Sequence, residues 1–165
     1  MRMRRSRPPI EVAAGERLLA WATADSGAVV GGTRDALYFT GPTTGVRIPW
    51  EQVEAADWDK DTTVLRVTEV GTWGERRPQH RFTIEEPGRL LELVRERVTA
   101  SVVLQRHVAL QGRRGVRVIA RRAPRGNQPL QWIYEYDEGI DPDDPFVRHA
   151  AAEALAAARD EVDPT

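Results

Sequence analysis

The fold is decided by one stretch of the chain, Gly31-Gly32-Thr33-Arg34-Asp35-Ala36-Leu37-Tyr38-Phe39-Thr40-Gly41-Pro42-Thr43-Thr44-Gly45-Val46-Arg47-Ile48-Pro49-Trp50. A short run ending in Gly-Gly-Thr is followed by a polar turn, an aromatic run at 36–40, a second turn at 41–45 and another apolar run at 46–50. Short apolar runs separated by Gly, Pro and polar residues are typical of consecutive antiparallel strands. The stretch therefore predicts a fold, and it does not indicate a particular chemistry.

The strand pattern continues on both sides of this stretch. Residues 17–24 alternate around Leu19 and Trp21 and end at the hairpin signal Asp25-Ser26-Gly27. Further strands are predicted at 28–33, 62–70 and 80–85, and Asp57-Trp58-Asp59-Lys60-Asp61 is predicted to be a polar turn.

The pattern changes at Pro87, a residue that is favoured in the first turn of a helix. Apolar residues then repeat at helical spacing, at Leu90, Leu91, Val94, Val98 and Val102. This spacing predicts one amphipathic helix that reaches about residue 105. Consecutive antiparallel strands closed by one helix indicate an α+β, mainly β fold, a small barrel or bent sandwich with a helix at one end.

Two segments resemble bacterial PH-like and GRAM-like domains. Gly31-Gly32-Thr33-Arg34-Asp35-Ala36-Leu37-Tyr38-Phe39 is similar to the strand pair of those domains, and Arg47-Ile48-Pro49-Trp50-Glu51-Gln52-Val53 to their isoleucine-proline step. The resemblance covers residues 15–104 and extends to a group of actinobacterial proteins that carry the domain. It implies a PH-like barrel that serves as a binding or scaffolding module. No phosphoinositide motif is present, so the resemblance does not imply lipid binding.

The C-terminal part departs from this family pattern. Residues 115–122 and 130–137 are predicted to form a hairpin in which Ile119 faces Ile133 and Arg117 opposes Glu135. Asp144 and Pro145 then predict the start of a helix. The predicted organisation is a disordered basic tail at 1–9, a PH-like domain at 10–105, and a hairpin and helix at 106–165 that pack on it.

Composition excludes several classes of function. The chain has 165 residues with a net charge of −1, which argues against recognition of bulk DNA by overall charge. It has no Cys, so disulfides, thiolate metal sites and cysteine nucleophiles are excluded. All basic residues except Lys60 are Arg, which suggests a GC-rich genome. No signal-peptide core follows the basic N-terminus, so a cytoplasmic protein is expected.

An arginine cluster is the strongest candidate binding site. On a strand surface it would hold phosphates of nucleic acid or of anionic lipid head groups. The alternative is that acidic residues between Glu135 and Asp144 neutralise it within the chain. The cluster comprises Arg113, Arg114, Arg117, Arg121, Arg122 and Arg125.

The tryptophans offer a second candidate site. Trp58 and Trp73 are predicted to lie in turns, where either would serve as an exposed recognition residue, whereas Trp21 and Trp132 are expected in the core.

No motif predicts a metal, a cofactor or a catalytic group. Asp57, Asp59 and Asp61 imitate the start of a calcium loop, but Thr62 and Thr68 stand where such a loop needs Gly and Glu. The three His residues and the three Ser residues lie in no catalytic spacing. The sequence therefore predicts a non-enzymatic module for protein interaction or scaffolding, whose partner is another protein or a second copy paired through a sheet edge. Binding of nucleic acid or of an anionic membrane surface is the alternative.

Overall fold

The structure of the protein is a computed structural model, which describes residues 9–41, 44–71, 77–126 and 128–162. These residues form two compact units. Unit 1 contains the chain up to Ala100 together with Ala123–Gly126, and unit 2 contains Ser101–Arg122 and the residues that follow Gly126. The described residues are mainly β, with three antiparallel sheets and two helices.

Each unit is built from short antiparallel strands and a helix. The four-stranded sheet of unit 1 runs β1 (Ala20–Thr23), β2 (Val29–Gly32), β3 (Ala36–Thr40) and β4 (Gly45–Pro49) in that order. Its three-stranded sheet consists of β5 (Val53–Asp59), β6 (Val64–Glu69) and β7 (Gln79–Thr83), and helix α1 (Leu90–Ser101) follows. Unit 2 has a three-stranded sheet, β8 (Val102–Gln111), β9 (Arg114–Arg121) and β10 (Gln131–Tyr136), and helix α2 (Pro145–Val162).

The strands predicted from residues 17–50 are present in the structure, and β3 has the predicted bounds of 36–40. The predicted turn at 57–61 is wrong in its first half, because Asp57, Trp58 and Asp59 continue strand β5. Trp58 pairs with Leu65 and faces inward, while Asp57 and Asp59 are exposed, so these residues alternate with the period of a strand. Their charge suggested a loop, but charge is equally compatible with the solvent face of a strand.

The predicted helix is also too long at its C-terminal end. Helix α1 stops at Ser101, and residues 102–111 form β8, which pairs with β9 from Val102 opposite Arg121 to Gln111 opposite Arg114. Residue 105, the predicted end of the PH-like domain, therefore lies within a strand. Val102 fits both patterns: it lies four residues after Val98, and it also begins a period-two alternation of partly buried and exposed residues.

Trp50 is at the centre of the core of unit 1. Its side chain is fully buried, and its indole Nε1 donates a hydrogen bond of 2.9 Å to the carbonyl oxygen of Thr33. Gly32 makes room for this ring, since a Cβ there would lie 2.9 Å from both Trp50 Cζ2 and Leu93 Cδ2. The Trp50 ring packs against Gly32, so residues at both ends of the Gly31–Trp50 stretch contribute to the core.

The outer face of the four-stranded sheet is covered by the segment that precedes β1. Ile10 is buried against Ala36 and Tyr38. Glu16 then accepts hydrogen bonds from Thr33 Oγ1 (2.6 Å), Tyr38 Oη (2.8 Å) and Arg47 Nε (3.1 Å). We call Glu16, Thr33, Tyr38 and Arg47 the Glu16 network. Burial raises the pKa of the Tyr38 hydroxyl above its ordinary value, so it remains protonated as a donor.

The hairpin of unit 2 has the predicted register. Ile119 lies opposite Ile133 and Arg117 opposite Glu135. The guanidinium of Arg117 is 3.7 Å from the Glu135 carboxylate. This register confirms the cross-strand pairing that was predicted from the alternation of the two strands.

Helix α2 begins as predicted and covers one face of this sheet. The Asp144 carboxylate accepts hydrogen bonds from the backbone N–H groups of Phe146 (2.8 Å) and Val147 (3.3 Å), which caps the helix. Along the helix, the Arg159 guanidinium lies 5.9 Å from the ring centroid of Trp132. The buried residues of the helix are Val147, Ala151 and Ala158.

One residue of the turn between β5 and β6 has a strained backbone. Thr63 has φ of 56°, in the left-handed region that β-branched residues strongly disfavour. Thr63→Asn is expected to raise the free energy of unfolding by about 1 kcal/mol, because Asn tolerates this conformation. Urea unfolding followed by circular dichroism measures the change. Thr63→Val keeps the branched side chain and should give no gain; equal stability of the Asn variant and the natural protein would contradict the assignment of strain.

Candidate functional site

Two arginines of the predicted cluster are engaged by partners within the chain. Arg121 cannot bind phosphate from solvent because it is only 4% exposed and donates a 2.8 Å hydrogen bond from Nη1 to Ser101 Oγ. Arg125 belongs to unit 1, where its Nε and Nη2 donate to the two carboxylate oxygens of Asp35 at 2.8 and 2.5 Å. The guanidiniums of Arg121 and Arg125 are therefore bound within their own units.

The rest of the cluster lies in unit 2. Arg117 stands between His107 on β8 and Glu135 on β10, in one row across the sheet. Asp137 accepts a 2.8 Å hydrogen bond from His107 Nε2, which lowers the pKa of this carboxyl. Charges of both signs thus meet around Arg117. The exposed members of the cluster in unit 2 are Arg113, Arg114 and Arg122.

The structure places the tryptophans differently from expectation. The prediction that Trp21 lies in the core is wrong: its side chain is 50% exposed, because the neighbouring Ala22 takes the inward position on β1. Trp132 is half-buried. Trp58 is half-buried and packs against the core of unit 1. Trp73 lies outside the described residues.

Trp58 lines a groove between helix α1 and the sheet of β5 and β6. The groove has a volume of about 350 Å³. Leu65 and Val94 are buried at its base, and the side chains of Leu91 and Val98 are half-buried along it. We call this feature the α1–β5 groove; its other lining residues are Ala56, Asp57, Arg95 and Thr99.

The groove follows from the way that α1 meets the sheet. Leu90 and Val94 point into the core, which leaves Leu91 and Val98 at its margin. β5 is an edge strand of its sheet, so the margin is not covered by a further strand within the described residues. The margin of the core offers apolar contact area, and the edge of β5 offers main-chain hydrogen-bonding groups.

The charged groups of this groove do not form a catalytic arrangement. Asp57 and Arg95 are its only ionisable lining residues, and Asp57 is 3.1 Å from the Arg66 guanidinium. The described lining contains neither His nor Ser, so it holds no pair of a His base and a Ser nucleophile. The groove is therefore suited to binding by apolar contact.

A second depression also has Asp57 and Trp58 in its lining. It has a volume of about 400 Å³ and is lined mainly by polar residues. Asp59, a member of the calcium-like pattern, accepts hydrogen bonds from the backbone N–H groups of Asp61 (2.9 Å) and Thr62 (3.3 Å), the latter being the main cause of its lowered pKa. Asp59 thus closes the turn after β5. Among the described residues, no three His, Asp or Glu side chains are grouped so as to hold a metal ion.

The sequence predicts a recognition role for Trp58 but not for the residues around it. Leu91 and Val98 were assigned to the apolar stripe of the helix, and Thr99 was not singled out. Leu91 directly follows Leu90, so the apolar stripe of the helix is wider than one face. This width was the signal in the sequence for an apolar side chain at the margin of the core.

Comparison with known proteins gives no relative: no protein-family model matches the chain, and neither a curated protein nor a solved structure matches it. In the part of the chain that the structure describes, neither helix has the length and apolar character that a membrane span requires. What the protein binds must therefore be inferred from its own surface.

Proposed function

We propose that the protein is a non-enzymatic, cytoplasmic module of PH-like fold that acts in protein interaction or scaffolding. The order of elements in unit 1 supports this proposal: four antiparallel strands, then three, then one helix. Side chains from both sheets and from α1 share one core, in which Leu37, Val67 and Leu90 are buried together. The resemblance implies a closed barrel, whereas the described residues of unit 1 form two separate sheets; the shared core and the helix that follows the strands are what support the proposal.

The observation that carries the function is the α1–β5 groove beside an edge strand. An extended segment of a partner protein would pair with β5 and place an apolar side chain against Trp58, Leu91 and Val98. Main-chain hydrogen bonds supply affinity in such a complex, and the groove selects the side chain. Burial of one large apolar side chain contributes about 1.5–3 kcal/mol. The expected partner is therefore a protein segment with an exposed apolar residue.

Filling the groove should abolish partner binding. Thr99 is exposed at the rim of the groove, so Thr99→Trp is expected to occupy the space without entering the core. Tagged protein is used to capture partners from lysate of the source organism after nuclease treatment, with mass spectrometry as the readout. We expect a protein that the natural chain retains to be reduced at least about tenfold with Thr99→Trp, a loss of about 1.4 kcal/mol.

The matched control is Glu153→Arg, an exposed change on helix α2 that should retain the partner. A partner that binds the folded Thr99→Trp variant as well as the natural protein would contradict the groove as the site. Nucleic acid that is captured before nuclease treatment and lost with Arg113→Glu/Arg114→Glu would instead favour the alternative, an arginine-rich hairpin that binds phosphates.

A further inference from the structure

Unit 1 also contains a charged cleft at the start of β1. The cleft has a volume of about 310 Å³ and shares no residue with the α1–β5 groove. It is formed by the segment before β1, the turn between β2 and β3, and Arg125. We call it the β1 cleft; its lining residues are Gly15, Glu16, Arg17, Leu19, Arg34, Asp35 and Arg125.

Both acidic groups of the β1 cleft are already paired. The Glu16 side chain is only 6% exposed and accepts hydrogen bonds from Thr33, Tyr38 and Arg47. Asp35 is bound by both arms of the Arg125 guanidinium, and the hydrogen bond from Arg125 is the main reason that the pKa of this carboxyl is lowered. These two carboxylates are therefore not available to a cationic ligand.

Two cations of the cleft lack a close ion-pair partner among the described residues. Arg17 and Arg34 are exposed, and neither has an ion pair with any residue that the structure describes. Arg125 neutralises Asp35, and Arg47 neutralises Glu16, 3.1 Å away. The lining therefore carries one net positive charge, and Arg17 and Arg34 hold the two guanidinium forks without an ion pair, each of which matches the geometry of a carboxylate.

An apolar strip continues from the cleft along β1. Leu19 lines the cleft and is 42% exposed, and Trp21 stands two residues further along the same face, about 7 Å away. Trp21 pairs with Gly31, where a Cβ would lie 2.8 Å from Leu18 Cδ1 and 3.1 Å from Trp21 Cβ, so the side chains of Leu18 and Trp21 cover this glycine. Exposed apolar side chains beside unpaired cations indicate a ligand that has both an apolar and an acidic part.

We propose that Arg17, Arg34, Leu19 and Trp21 form a second binding site, which takes a protein segment whose acidic residues flank an apolar one. A small anion would leave Leu19 and Trp21 exposed. Nucleic acid is disfavoured because its affinity depends on many phosphate contacts, whereas the cleft offers two guanidiniums without an ion pair among the described residues and the chain has a net charge of −1. An acidic segment satisfies both the charge and the apolar strip.

Fluorescence anisotropy with a labelled peptide of repeated Asp-Glu-Leu-Asp-Glu sequence tests the proposal. Arg17→Glu/Arg34→Glu is expected to weaken binding at least about tenfold. Leu19→Ser/Trp21→Ser is expected to weaken it by a similar factor, because the apolar strip is lost. All four side chains are exposed, so both variants should keep the circular dichroism spectrum of the natural protein.

Two controls separate this site from other surfaces. Arg113→Glu/Arg122→Glu changes exposed arginines of unit 2 and should leave the affinity unchanged. Thr99→Trp blocks the α1–β5 groove and should also leave it unchanged, so a failure of one site can be distinguished from a failure of the other. The proposal is overturned by the absence of peptide binding at millimolar concentration, by binding that is insensitive to either double variant, or by tighter binding of a twelve-nucleotide oligothymidylate.

Discussion

Replacement of Trp50 by alanine is expected to lower the free energy of unfolding by about 4 kcal/mol. The side chain is fully buried, so its removal leaves a large cavity between the two sheets and α1. The indole also donates to the carbonyl oxygen of Thr33, which would lose its partner. Guanidinium unfolding followed by circular dichroism should show a large fall in the midpoint.

Trp50→Phe separates the two contributions. It retains most of the ring volume but removes the donor, so the expected loss is about 1–2 kcal/mol. If Trp50→Ala cost less than about 1 kcal/mol, the assignment of Trp50 to the centre of the core would be wrong.

Gly115→Ala is expected to be the most damaging single-methyl change in unit 2. A Cβ at this position would lie 1.8 Å from the carbonyl oxygen of Val108, on the neighbouring strand. No side chain can tolerate this distance, so β8 and β9 would have to separate locally. Because the contact is with backbone, the cost is expected to exceed about 3 kcal/mol.

Hydrogen exchange measured by mass spectrometry should localise the effect of Gly115→Ala to β8 and β9, where amide protection is expected to fall. Gly45→Ala is the matched control, because a Cβ on this strand glycine would meet no atom closer than the Phe39 carbonyl oxygen at 3.9 Å. It should change stability by less than about 0.5 kcal/mol. Unaltered protection of β8 in Gly115→Ala would show that the strands approach less closely than described.

The strands were predicted well wherever apolar residues follow only one periodicity, that of a strand or that of a helix. The Gly31–Trp50 stretch has short apolar runs with clear turn residues between them, and Ile119 and Ile133 anchor a hairpin whose two faces differ in polarity. At Val102 two periods overlap, so the choice between helix and strand depends on pairing with β9, which is not a local property. Pairing with β9 makes Val102 part of a strand, and the predicted helix was therefore too long.

The candidate sites were harder to predict because they join distant residues. Trp58 and Val98 meet in the α1–β5 groove although they belong to a strand and a helix that are separated by two further strands. Arg121 and Arg125 are close in sequence, yet one is buried on Ser101 and the other pairs with Asp35. Charge along the chain does not reveal which side chains find partners. Arg17 was missed for the same reason: next to Leu19 it appears as an ordinary exposed end of a strand.

The division of the chain into units limits how the protein can be dissected. Residues 123–126 belong to unit 1, although the chain on either side of them belongs to unit 2. A truncation after Ala100 would therefore yield a first unit without Arg125 and would leave the Asp35 carboxylate without its guanidinium partner. A fragment that begins at Ser101 contains all of unit 2 but also carries residues 123–126 away from unit 1, so domain-swap experiments with this protein must supply Arg125 to the first unit.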